Sequence, residues 1–463
     1  MARSSLALGI DIGTTTVKVC LISIENGEKC ESLSRETKAR MPSDLGHLGS
    51  EQDVHKICTA LQFCLSRLPK ESLSRVAKIG ISGQMHGCVL WKQDGAWKQN
   101  HFGRYEVDAV SCLYTWQDAR CTSSFLASLP APESHLRLST GQGCPTIFWL
   151  SKNRPDVLEK YDRAGTIQDL VVTMLCGLNK PVMSVQNAAS WGYFDTISVT
   201  WNIEILKDAG FPIDLLPDVV DAGQLAGQTT SCWYGIPQGT PVFAAWGDLQ
   251  SSVVCSMANE TDAVLNISTS AQLSFIKPED FQPTLSQSSS AIEYFPYFNG
   301  RYLAVAASLN GGNVLAVFVR MLQQWTHELG LGVPESKIWE RIQDTAIDDA
   351  NAESEMVIVP TLFGERHLPE DRALVSHIDP LCLTLGKVSR ALCKGVVRNL
   401  HSMMSKEELV EAGIERIVCN GMALIKNSVL RKEVESHYSL PVEYKNDADA
   451  AYGTALATLK FCS

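Results

Sequence analysis

The chain has 463 residues, 45% of them hydrophobic and 20% charged, with a net charge of −11 at pH 7. This is the balance of an ordinary globular protein long enough for two or three domains. Its acidity argues against nucleic acid and anionic membrane as general partners, and no apolar run reaches the roughly 18 residues of a membrane span.

The opening Met-Ala-Arg-Ser-Ser runs straight into an apolar strand, so no signal peptide is expected. The 15 cysteines are scattered singly, without a C-x-x-C pair or zinc-like spacing, and read as free thiols of a reducing compartment, the cytosol. Leu6–Ile12 and Val17–Ile22 read as two strands around the turn Gly13-Thr14-Thr15-Thr16, with Asp11 where the first strand meets the turn. Such a turn offers amides and hydroxyls to phosphate oxygens. It also fits an ordinary hairpin. Asp53 to Leu68 has helical spacing, and "KIGISGQMHG" (Lys78 to Gly87) is a strand ending in a polar, glycine-bounded turn. Residues 132–178 read as helices broken at glycine and proline, and "SVQNAASWGYFDT" as a substrate-side loop and turn. Gly239 to Ala258 reads as strand, turn and helix.

The opening then recurs. In "DAVLNISTSAQLSFI" from Asp262, Asn266-x-Ser268-Thr269-Ser270 lines up with Asp11-x-Gly13-Thr14-Thr15 at an offset of 255 residues. "YLAVAASLNGG" (Tyr302 to Gly312) is aligned with Lys78 to Gly87 as the next matching element. Two halves of like topology follow, each turning a phosphate loop inward, divided near residues 250–260. One half carries a carboxylate, Asp11, and the other an amide, Asn266. Two carboxylates would repel a polyphosphate, whereas one suits a divalent cation. An exposed loop is expected around Ser286 to Ser290. Gly312 to Leu329 and Leu385 to Met404 read as amphipathic helices, and residues 414–434 as a strand, a loop at Gly421 and a helix. "DADAAYGTALATLKFC" closes the chain as a small-residue helix suited to tight packing.

Three places carry candidate chemistry. Asp248, in "AAWGDLQSS" at the junction of the halves, is placed to act as general base towards a hydroxyl, or simply to cap a helix. Gln84, Met85 and His86 suit a sugar's hydroxyls and carbon face, or a structural turn. Trp116, Gln117, Asp118 and Arg120 form a polyol-binding set or an ordinary ion pair. "FGERHLP" (Phe363 to Pro369) is left open between cleft lining and solvated turn.

In order, "GIDIGTTTVK", "SGQMHG", "WQDAR", "WGD", "NISTS", "GERHLP", "NGMALIKN" and "DADAAYGTALA" resemble the FGGY carbohydrate kinases over nearly the whole chain. The resemblance implies an α/β fold of two ribonuclease-H-like domains of the actin/hexokinase ATPase type around a central cleft. Residues 1–255 would bind mainly sugar and 256–463 mainly ATP. The stretches "CGLNKPVMSVQNAASWGYFDT", "DAVLNISTS", "AASLNGGNVLA" and "FGERHLPEDRA" point within the family to a kinase of a seven-carbon ketose. Carried onto this chain, Asp248 matches the catalytic base and Asp11 the Mg²⁺-associated acid. Thr14 and Thr15 match the first phosphate turn, Thr269 the second, and Gly312, Gly421 and Asn427 nucleotide positions. Gln84, Met85, His86, Trp116 and Asp118 match the sugar side. Two departures stand out. The second phosphate turn begins with Ser268 where the family usually has glycine, and the adenosine segment, usually glycine-rich, keeps only Gly421 in Cys419-Asn420-Gly421-Met422. The rival readings are a kinase of xylulose or another polyol, an actin-like ATPase indifferent to sugar, and a sugar-binding regulator without catalysis.

Overall fold

The computed structural model of the chain describes residues 4–100, 103–284, 290–348, 355–368, 370–445 and 449–462. The expected loop at Ser286 to Ser290 lies almost wholly outside these residues, and Pro369, Asp447 and Ala448 of the quoted motifs lie outside them.

Two mixed sheets repeat one plan. The first contains β1 (Leu6–Ile12), β2 (Thr16–Ser23), β3 (Lys29–Glu36), β4 (Val76–Gly83), β5 (Leu225–Gln228) and β6 (Pro241–Phe243), in the order β5-β6-β4-β1-β2-β3. A short strand, β7 (Trp246–Gly247), also pairs with β4. The second contains β8 (Asp262–Ile267), β9 (Ala271–Ile276), β10 (Ile292–Pro296), β11 (Tyr302–Ser308), β12 (Arg416–Asn420) and β13 (Val442–Tyr444), in the order β10-β11-β9-β8-β12-β13. In each sheet a hairpin opens the half: β1 with β2, and β8 with β9, both antiparallel. The first closes over residues 13–16 and the second over 268–270, one residue fewer. Beside the hairpin's first strand lies a parallel neighbour, β4 beside β1 and β12 beside β8.

That topology corrects one alignment. Tyr302–Ser308 is not the counterpart of Val76–Gly83, because β11 runs antiparallel to β9, as β3 does to β2. The counterpart of β4 is β12: Asp11 faces Ser82 as Asn266 faces Asn420. Both β4 and β11 are apolar runs ending near glycine, and composition alone does not separate a parallel strand from an antiparallel one.

Helices cover the sheets. In α1 (Val54–Arg67), Val54, Ile57, Leu61 and Leu65 are buried as their spacing predicts, and Asp53 caps the helix by accepting from the His55 and Lys56 amides. Further on lie α2 (Asp248–Ser256), α3 (Gly312–Glu328), α4 (Leu385–Met403), α5 (Met422–Lys426), α6 (Ser428–Tyr438) and α7 (Ala450–Phe461). Apolar faces of α4 and α6 join β8, β9 and β12 in one core. A second core spans both halves, bringing Trp246 and Val253 together with Phe298, Leu303 and Val305.

The last helix returns to the first sheet. In α7, Ala451 and Ala455 pack with Ala7, Cys20 and Ile22. The approach is close enough that a Cβ on Gly9 would stand 2.2 Å from the Ala451 carbonyl oxygen and 2.5 Å from the Ala455 nitrogen. On the other side of α7, a Cβ on Gly453 would stand 2.0 Å from the Ser251 carbonyl oxygen of α2. The small residues of the closing segment therefore serve backbone-to-backbone packing. Gly9→Ala is expected to destabilise the protein by about 1–3 kcal/mol, the usual cost of forcing volume into a packed core. A urea midpoint equal to the wild type's would show that the helix yields freely at this contact.

Candidate active site

The parallel strands β1, β4, β7, β8 and β12 point their carboxyl ends at one place, where open α/β sheets bind ligands. There the halves enclose a cavity of about 400 Å³ lined from both sides, by Asp11, Thr14, Lys18, Met85, His86, Trp116 and Asp248 of the first and by Asn266, Ser268, Ser270, Arg366, Gly421, Met422 and Lys445 of the second.

Both hairpin turns close on their own backbone. Gly13 donates to the Thr16 carbonyl, and Ser268 to the Ser270 carbonyl, so each turn closes on itself. Among the described residues, the backbone N–H groups of Thr14 and Thr15, and of Thr269 and Ser270, find no acceptor. Two successive free amides in a turn make an anion-binding concavity. The Thr14 hydroxyl is already engaged, accepting from Trp116 Nε1 at 2.9 Å and donating to Gln84 Oε1 at 3.3 Å. What Thr14 offers an anion is its amide. Thr15 and Thr269 are exposed and lie beside the cavity rather than among its lining residues.

Asp11, near the end of β1, and Asp248, just after β7, face the cavity on either side of β4. Asp11 is 5% exposed, accepts from the Ser82 hydroxyl at 3.2 Å and stands opposite Lys18 in the β1–β2 register. Burial, and then the neighbouring Asp248 charge, push its carboxyl up to about 7. Asp248 is the first residue of α2, whose cap position belongs to Gly247. Its Oδ1 accepts from the Leu249 amide at 2.8 Å. Burial raises it to about 6, against the pull of backbone donors and Lys18.

The residues expected on the sugar side divide. Met85, His86 and Trp116 line the cavity. Burial, with Arg366 nearby, lowers His86 to about 3, so the ring is neutral. Its Nδ1 lies 2.8 Å from the Ser190 carbonyl oxygen. A carbonyl only accepts, so the proton sits on Nδ1 and Nε2 is left as an acceptor. His86 also holds a left-handed backbone, φ 72°. Gln84 and Asp118 lie behind the lining. Gln84 ties Thr14 to Gln52. Asp118 is fully buried, paired with Arg120 at 2.7 Å, and accepts from the Ser50 amide. The segment read as a substrate-side loop is instead a buried helix and strand, Val185–Ala189 and Phe194–Asp195. It props His86 from behind through Ser190.

On the other side, Gly421 follows β12 with φ 95°, and a Cβ there would stand 2.5 Å from the Ile267 carbonyl oxygen. Gly312 opens α3 and donates its amide to the Ser268 carbonyl, holding the second turn from behind. Asn427 caps α6, accepting from the Val429 and Leu430 amides, and is outside the cavity lining. The motif left open resolves in two parts. Glu365 is buried and accepts from the Ser308 hydroxyl, the Leu309 amide and the Asn399 side chain, whereas Arg366 lines the cavity. Lys18, Arg366 and Lys445 were not singled out from the sequence. Lys18 was findable, since the hairpin register sets it opposite Asp11. Lys445 carries no local signal and lies just beyond β13.

Comparison with known proteins places the chain in a family. The N-terminal domain of the FGGY family of carbohydrate kinases matches residues 6–255. The chain is 50% identical to human sedoheptulokinase over 99% of its own length and 98% of that protein's, and 51% identical to mouse sedoheptulokinase with the same coverage. A crystal structure of gluconate kinase from Lactobacillus acidophilus superposes with a TM-score of 0.78 at 19% identity, covering 99% of this chain and 89% of that one, and so shows a shared fold. The chain belongs to the FGGY family of carbohydrate kinases.

Proposed function

We propose that this kinase transfers the terminal phosphoryl group of ATP to the end hydroxyl of sedoheptulose, giving sedoheptulose 7-phosphate, with Asp248 as general base. The observation that carries the reading is the placement of Asp248. It is a carboxylate held at Oδ1 by the Leu249 amide in the first turn of α2, at a cavity flanked by two turns that each present free amides. The full-length likeness to the two sedoheptulokinases supports the sugar. The first half would hold the ketose against Met85, His86 and Trp116, with Gln84 and Asp118 fixing that wall. The second would hold the nucleotide near Ser268, Thr269, Ser270 and Gly421, with Gly312 and Asn427 supporting it. The protein would work in the cytosol, where its 15 free thiols are stable. No described helix is long and apolar enough to cross a membrane.

Asp11 fits a magnesium ion. Mg²⁺ takes one or two carboxylates and keeps much of its water, and no described group of three or more His, Cys, Asp or Glu forms a closed metal cage. A cation beside Asp11 would offset the burial and like charge that lift its carboxyl to about 7. When bound, the ion neutralises phosphate charge. The chain's own residues do the rest. The turn amides orient the phosphates in line with the acceptor. Asp248 orients the sugar hydroxyl and accepts its proton late, because an alcohol is a far weaker acid than a carboxylic acid. The cavity's two walls shield the transfer from water, a competing acceptor.

Three outcomes test the reading. In a coupled ADP-release assay across five-, six- and seven-carbon ketoses, sedoheptulose is expected to give the largest kcat/KM; a larger value with xylulose would move the assignment to that sugar, and ADP release without any sugar would favour a bare ATPase. Asp248→Asn is expected to keep sugar binding and lose about 10²–10⁴-fold in kcat, the usual worth of general-base help; near-normal turnover removes the base. Asp11→Asn is expected to raise the Mg²⁺ concentration needed for half-maximal rate, and also to change stability. The Asp11 carboxyl titrates near 7 in the fold against an ordinary 3.8. The folded protein therefore keeps a proton that the unfolded chain releases, a gain that is full below the unfolded pKa and lost as pH rises through the folded one. Asp11→Asn should melt above the wild type at pH 8 without ligands, with the gap closing towards pH 4. A midpoint difference that does not change with pH would refute the burial of that charge.

A further inference from the structure

Beneath the cavity, five side chains from five elements form one buried hydrogen-bonded chain. Trp246 Nε1 of β7 donates to Ser251 Oγ of α2 at 2.8 Å. Ser251 Oγ lies 2.9 Å from Thr454 Oγ1 of α7, and Thr454 Oγ1 lies 2.6 Å from Ser82 Oγ of β4. Ser82 Oγ donates to Asp11 Oδ1 of β1 at 3.2 Å. Ser82, Thr454, Ser251 and Trp246 are all 0% exposed.

The proton positions follow from the two ends. An indole N–H only donates, and the Asp11 carboxylate, once ionised beside a cation, only accepts. With Ser82 donating to Asp11, its oxygen must accept from Thr454. Thr454 then accepts from Ser251, which accepts from Trp246. Every hydroxyl in the chain points the same way, towards the Asp11 charge, and such chains strengthen cooperatively. Thr454 has a second choice, since its hydroxyl is also 2.7 Å from the Ala450 carbonyl oxygen one turn back in α7. A mid-helix threonine commonly takes that bond. Here it would turn the hydroxyl away from Ser82 and break the chain at its centre.

We propose that Thr454 is a positioning residue for phosphoryl transfer. Its hydroxyl bridges α2, the helix that begins at Asp248, to the strand pair that ends at Asp11, and fixes the distance and orientation between the two acids. The proposal rests on the roles given above to Asp11 and Asp248. The helix that carries Thr454 comes from the far end of the chain and contributes Ala450 to the cavity lining, whereas Thr454 lies one turn further in and reaches no ligand itself.

Two variants separate the hydroxyl from mere filling of space. Thr454→Val keeps the shape and removes the hydroxyl, whereas Thr454→Ser keeps the hydroxyl and removes a methyl. In the full-length protein, ADP binding is titrated by calorimetry with and without Mg²⁺, and unfolding midpoints are recorded alongside. The factor by which Mg²⁺ tightens ADP binding is expected to fall about tenfold in Thr454→Val, the upper scale of one buried hydrogen bond between neutral groups. It should stay within about twofold of the wild type in Thr454→Ser, even where serine lowers the midpoint by as much. Turnover should follow the same order, with KM for the ketose unchanged. A serine variant as impaired as the valine one, or a valine variant with the wild type's Mg²⁺ factor, overturns the proposal. Ser82→Ala cuts the same chain from the strand side and is read by the same ratio should Thr454→Val not fold. If no ketose is phosphorylated by the wild type, the sugar reading fails while the ADP titration still decides the role of Thr454. If Mg²⁺ does not tighten ADP binding to the wild type, the assignment of Asp11 fails and Thr454 loses its role with it.

Discussion

The site depends on how closely α7 is let into the first half. A helix and a sheet normally stand about 10 Å apart, the thickness of a layer of side chains. Here Gly9 and Gly453 remove that layer on both sides of one helix, so backbone meets backbone at Ala451 and at Ser251. The end of β1 and the start of α2 are consequently held against a common strut. Asp11 and Asp248 are the residues at those two ends. The strut is formed by residues 450–461, so the first sheet takes its packing from a segment far along the chain.

Close packing has an electrostatic consequence. It excludes water from around two carboxylates that already repel, and both rise well above the ordinary range, to about 7 and about 6. An isolated arrangement of that kind would simply protonate. Lys18 opposes it from the neighbouring strand, and Arg366 and Lys445 add positive charge from the other half. The second turn carries Asn266 where the first carries Asp11, so the cavity is charged on one wall and neutral on the other at equivalent positions. That asymmetry leaves the second turn's amides without a competing anion.

Much of this was legible in the sequence where the signal was local. The hairpin strands, the helix starting after Asp53 and the acid at the seam all follow from short patterns of polarity, and β1 matches Leu6–Ile12 residue for residue. Pairing between distant strands was not legible. Val76–Gly83 and Tyr302–Ser308 share a composition but differ in direction, and direction is fixed by partners far away in sequence. The same reason hid the roles of Gln84 and Asp118. Each is a polar residue in a plausible site motif, but partners from other segments, Gln52 for Gln84 and Ser50 for Asp118, hold them behind the lining, and Asp118 also makes the ion pair with Arg120 that its own motif offered. Asn427 reads as a ligand group beside a nucleotide segment and proves to be spent on capping α6.

The two departures from the family pattern have a steric account. Ser268 begins the second turn with its amide bonded to the Ser270 carbonyl, as Gly13 bonds the Thr16 carbonyl in the first. A hydroxymethyl group is tolerated there because the turn closes through backbone alone. In the segment after β12, one glycine survives of a usually glycine-rich run, and it is the one that cannot be replaced. Gly421 has a left-handed backbone and no room for a Cβ beside the Ile267 carbonyl. Its topological counterpart in the first half, Gly83, is crowded in the same way by the Ile12 carbonyl, at 2.9 Å. Met422, which follows, opens a helix and is 59% exposed, a position with space for a long side chain. What both halves share is a glycine at the end of the second parallel strand, with no room for a Cβ beside the last carbonyl of the first.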